Sequence, residues 1–144
     1  MSSRINERLA ILGVVNPATH SAGNQDTAAI DVKNFGRVMF VLLAGNLSGG
    51  GVLDFKLMSS TSSGGTYSDV TGKSITSMNN ADGTNGQAIV ELLASDLPDD
   101  HRFVKGRLTI STASSPACVI ALGGDPRYAP IGSFDLTSVI RLVD

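Results

Sequence analysis

Few side chains in this 144-residue sequence are of a type that does chemistry, and none has a partner at a useful spacing. His20 and His101 are the two histidines. A zinc site or a general base needs a second His, a Cys or a carboxylate in a fixed constellation, and only Asp99 and Asp100 stand near His101. Both histidines therefore read as solvated loop residues. Gly72-Lys73-Ser74 has the ending of a phosphate-binding loop, but Tyr67 occupies the position of its first glycine and no helical pattern follows. The loop at 79–86 holds one carboxylate, Asp82, where a calcium loop needs several. Asp96, Asp99 and Asp100 make at most a weak cluster. No Gly-x-Ser-x-Gly elbow surrounds any serine. Asn46-Leu47-Ser48 fits a glycosylation sequon, which carries no weight without a secretion signal. The expectation is a chain with no catalytic residue, no cofactor and no metal.

Cysteine and aromatic usage point the same way. The one cysteine, Cys118, has no intramolecular disulfide partner; within the apolar run 117–122 it reads as a small buried core residue. Sheets that bind sugars or RNA stack aromatic rings on their ligands, but five Phe, two Tyr and no Trp leave only Tyr67 and Tyr128 for that role. Both read as rim or packing residues. The formal net charge is −2 with no block of Lys and Arg, which argues against nucleic acid, because phosphate binding relies on clustered cations. Charged residues are 17% of the chain, below the roughly 25% of an average soluble domain. The surface must rest on Ser, Thr, Asn and Gly.

The positioning elements are expected to be strands. Sixteen glycines and many Ser/Thr/Asn clusters cut the sequence into short apolar segments. Residues 27–32 suit a first short strand. The run 37–44 is nearly continuous apolar, which reads as a strand covered on both faces. Leu53, Phe55 and Leu57 alternate with Asp54 and Lys56, the period of two of a half-buried strand. Short strands are expected at 67–70 and 74–78 around a turn at Thr71-Gly72, and positive-φ turns at Asp82-Gly83 and Asn85-Gly86. Alternation returns at 87–93. One helical turn at 95–98 precedes a strand at 102–111, with Gly106 a candidate bulge. Ser114-Ser115-Pro116 then turns the chain into 117–122, so the last two strands should form a hairpin. About eight strands with no interleaved helices predict an all-β fold, an antiparallel β-sandwich or jelly roll, with a small barrel second.

At 144 residues one domain suffices, burying roughly two thirds of its unfolded surface. Residues 27–124 are assigned to the sandwich. Residues 1–26 and 125–144 are expected to be extended arms, because Asn16-Pro17, Pro126 and Pro130 oppose regular pairing. Their apolar residues must either pack on their own domain or, as arms, on neighbouring chains. The expected interface residues are Ile11, Leu12, Val14, Val15 and Pro17 at the front, and Tyr128, Phe134, Leu136, Val139 and Ile140 at the back. The run 9–15 is too short for a signal peptide, and none approaches the roughly 18–20 apolar residues of a membrane helix. A soluble protein made in a cytoplasm, without a membrane partner, is expected.

The order of short motifs resembles a family of small tailed-bacteriophage structural proteins encoded beside capsid genes. The residues that carry the resemblance are the segment 9–17 ending in Asn16-Pro17, 35–41 (Phe-Gly-Arg-Val-Met-Phe-Val), and 53–57 followed by 63–70. Residues 102–110 and 121–130 complete it. The resemblance implies a capsid decoration, or cement, protein: a β-sandwich over junctions between major capsid protein subunits on the outside of the virion. It also implies a homo-oligomer, trimer or dimer, and no catalytic residues. The competing expectations are a head-to-tail connector or tail protein, and a carbohydrate- or receptor-binding sandwich.

Overall fold

Among the described residues nine strands form where the sequence alternates or runs apolar between its glycine- and serine-rich breaks. The computed structural model describes residues 4–127 and 134–143. In chain order the strands are β1 (Ala10–His20), β2 (Gly23–Asp26), β3 (Ile30–Asp31), β4 (Phe35–Ala44), β5 (Val52–Ser60), β6 (Ser68–Ser74), β7 (Gln87–Leu93), β8 (Phe103–Ser111) and β9 (Ser115–Pro126). All pairings are antiparallel. One sheet, A, has the order β1-β9-β4-β7; the other, B, has β2-β8-β5-β6, with β3 continuing β2 along β8.

This order is that of a chain folded back as one long hairpin. The pairs β1/β9, β2/β8, β4/β7 and β5/β6 are nested, and alternate pairs go to alternate sheets. Two interlocked Greek keys of this kind make a jelly roll, a two-sheet β-sandwich. The arrangement corrects the expected final hairpin. β8 and β9 are consecutive but lie in different sheets, because each is already paired with an earlier strand.

Between the sheets lie Phe40, Leu42, Leu53, Phe55, Leu57, Leu92, Val104, Leu108 and Ile110, all essentially inaccessible to water. The Phe40 and Phe55 rings meet at 6.0 Å between centroids. Gly106 lies beneath them. A Cβ there would come within 2.7 Å of Phe55 and 3.0 Å of Phe40. It pairs in regular register with Leu57, so its role is close ring approach rather than the expected bulge.

Residues 10–26 are strands of the sandwich, not an arm. β1 pairs with β9 from Ala10 to His20, and its register shifts between Val15 and Ala18. Pro17 falls in that irregularity on an edge strand, where no ladder bond is required from its missing N–H. The C-terminal side is tied down as well. Phe134 packs edge-to-face on Phe35 at 5.4 Å. Asp135 accepts a hydrogen bond from the Ile11 amide at 2.7 Å, and the Leu136 amide donates to the Ile11 carbonyl at 2.9 Å. These bonds cover part of the free edge of β1, the kind of edge that otherwise invites pairing with another chain. Other expectations shift by smaller amounts. β6 runs through Thr71-Gly72 as one strand, the first strand shortens to β3, and of the two loop turns Asn85 takes the positive φ, 55°.

A candidate protein-docking face

The side chains of sheet A that alternate with the core residues point away from the sandwich, and the register aligns them in rows. Val14 pairs with Ile120, Ile120 with Val41, and Val41 with Ile89, one apolar side chain from every strand. The next row is Ile11, Leu122, Met39 and Glu91; on the other side Cys118 and Leu43 align with Gln87. Glu91 and, one row further on, Arg37 lie toward one end of this face, where Arg37 pairs with Asp125 at 2.8 Å. Ile89 is 62% exposed, and Leu43 and Leu93 are each 39% exposed. No described element layers over the middle of this face.

Sheet B presents the opposite chemistry. Across its outer face run Asp26, Arg107, Lys56 and Asp69. Arg107 binds Asp26 through two hydrogen bonds of 2.8 Å, and Lys56 binds Asp69. Arg102 grips Asp31 in the same bidentate way, and Lys105 sits over the Tyr67 ring. The Arg107 guanidinium holds the Asp26 carboxyl below its usual range, and that of Arg102 does the same to Asp31. This face is internally neutralised and well solvated. Sheet A is the face with unspent apolar surface.

Two concavities mark the ends of the apolar face. One, of about 1200 Å³, lies between Leu122 and Met39 on the sheet and the N-terminal 3-10 turn (Ile5–Glu7) with Leu9 beside it. The other, shallower, is bounded by Pro17, Leu43, Pro116 and Cys118. Cys118 thus lies on the outer face rather than in the core, a correction that follows from its pairing with Leu43. Partial burial pushes its thiol pKa up, away from the reactive thiolate.

The expected interface residues divide among different environments. Ile11 and Val14 lie on the outer face. Val15 turns into the core, Leu12 packs against it, and Pro17 rims the shallower concavity. Phe134 and Leu136 hold the C-terminal segment to the sandwich, Val139 is half-buried, and Ile140 is 83% exposed. Tyr128 lies outside the described residues. The sequence reading missed Met39, Val41, Leu43, Ile89, Ile120 and Leu122. For all but Ile89 the signal was present in the runs 37–44 and 117–122, apolar at both parities, which a strand with one wet face does not need.

Two of the chemical candidates make contacts that tie elements together. His101 is half-buried, not solvated, and its Nδ1 lies 2.7 Å from the Ser59 Oγ. Ser59 is wholly buried, and the contact fastens the loop before β8 to β5. Lys73 of the Gly-Lys-Ser motif binds the Glu91 carbonyl at 2.8 Å and the Asp96 carboxylate at 3.1 Å, linking the two sheets. Among the described residues no group of three His, Cys, Asp or Glu side chains is placed to hold a metal, and no helix is long and apolar enough to cross a membrane. No protein-family model and no curated protein sequence matches the chain.

Proposed function

We propose that this chain is a structural virion protein that seats the outer face of sheet A on a phage capsid and stabilises contacts between major capsid protein subunits. The observation that carries the reading is the row Val14–Ile120–Val41–Ile89, apolar across the whole sheet and covered by no element among the described residues. A β4 with apolar residues on both faces makes sense when a second protein supplies the second layer. The motif order that resembles decoration proteins supports the same reading, and jelly rolls recur in capsid domains, although a fold alone does not assign a function. The reading places the protein on the virion exterior after synthesis in the host cytoplasm. It gives the chain no catalytic step and no cofactor.

The face measures roughly 19 Å by 26 Å, on the order of 500 Å². A stable two-protein interface uses about 800 Å² per partner. One copy therefore binds modestly, and many copies on a repeating lattice gain avidity. The test is to mix the purified protein with empty heads assembled from the capsid protein of the same genome, pellet them, and count bound copies. Saturation at hundreds of copies is expected. Saturation near about a dozen would indicate a connector ring instead. No binding would overturn the reading and direct attention to sugars, whose binding would raise the melting temperature.

A further inference from the structure

We infer that copies of this chain associate by laying the C-terminal segment 140–143 of one copy into the groove between Leu9 and Leu122 of the next. Two observations meet here. Past Phe134 and Leu136, which are fixed to the sandwich, the chain turns where the Val139 amide donates to the Leu136 carbonyl at 2.9 Å. Beyond that turn Ile140, Leu142 and Val143 are 83%, 51% and 94% exposed. Three apolar side chains in four residues are thus left largely uncovered by the described residues of their own molecule. The same molecule presents a groove of about 1200 Å³ walled by Ile5, Leu9, Met39 and Leu122. That exceeds the roughly 300–1,000 Å³ of a small-molecule site and suits a peptide segment.

One charge pairing is open to this occupant. Around the groove stand Glu7, Glu91 and Asp125 against Arg8 and Arg37, a net of one negative charge. The segment brings one cation, Arg141, with Asp144 following it. Arg37 is engaged by Asp125 at 2.8 Å and stands 4.0 Å from Glu91, leaving the half-exposed Glu91 carboxylate the natural partner for Arg141. Reach sets a further condition. Four residues beyond Val139 extend at most about 14 Å, so donor and acceptor copies must touch. Each copy has both a donor segment and an acceptor groove, so the contact is heterologous and closes into a ring, as in a trimer, if the rotation allows. The groove borders the outer face of sheet A at Met39 and Leu122, but its occupant is a copy of this chain, and cross-linking between copies tests it without capsids.

The test uses the full chain with C118S and one new cysteine on each side, M39C and L142C, under mild oxidation. Disulfide-linked dimers and larger species on a non-reducing gel are the expected result. A cross-link confined to the monomer would show the segment in its own groove and overturn the proposal. So would the absence of any cross-link, or equal cross-linking by either single-cysteine variant alone. Sedimentation equilibrium gives a second readout. I140D/V143D is expected to weaken self-association at least roughly tenfold, since each substitution removes a buried apolar side chain from the contact. Unchanged association, or a wild-type chain that stays monomeric at high concentration, would contradict the inference.

Discussion

Gly106 has no side chain because the rings of Phe55 and Phe40 occupy the space one would need. Gly106→Ala forces those rings apart in a core where neighbouring side chains are fully buried, and overpacking of this kind costs about 1–3 kcal/mol. Urea unfolding should show the loss as a lower midpoint with an unchanged slope. A second residue-scale test concerns Asp26. Its carboxyl is held below the ordinary value of 3.8, chiefly by hydrogen bonds from Arg107. A carboxyl lowered in the folded state adds stability above its unfolded pKa and loses it as pH falls through the folded one. Asp26→Asn should therefore cost up to about 1 kcal/mol near neutral pH, the scale of a surface pair, and nothing in strong acid. Thermal melts at neutral pH and at about pH 2 check both arms.

At the scale of elements, β1 decides between an arm and a strand. It pairs with β9 along Ala10–His20 and contributes Ala10 and Val15 to the core. Deleting residues 1–20 should abolish cooperative unfolding, whereas deleting 137–144 should leave the melting temperature within a few degrees of the parent. Circular dichroism measures both. The strands β4, β5, β7 and β8 were legible because alternation or continuous apolarity is written directly in their residues. The role of Asn16-Pro17 was not, since a proline forbids a ladder bond only where one is needed, and whether one is needed depends on the irregular pairing with β9. For the same reason a nested pairing is invisible locally: nothing in Ser114-Ser115-Pro116 tells a hairpin turn from a crossing between sheets. The docking face was half legible. The double-sided apolarity of 37–44 announced a second cover, but alignment of Val41 with Val14, Ile120 and Ile89 is a property of register, which no single segment contains.

The whole molecule is two-sided, with a charge-paired outer face on sheet B and an apolar one on sheet A. Binding driven by sheet A should change little as sodium chloride rises, because the charges of the face lie at one end, and should strengthen in sulfate salts that favour apolar burial. Pelleting with empty heads across a salt series tests that directly. The most direct test of the central claim compares the wild-type chain with I89K/L43K in the same assay. Ile89 and Leu43 are exposed, so the variant should keep its fold and lose less than about 1 kcal/mol of stability. The expected result is saturation at many copies per head for the wild type and little or no binding for the folded variant. Equal binding by the two would contradict the assignment of sheet A as the docking face.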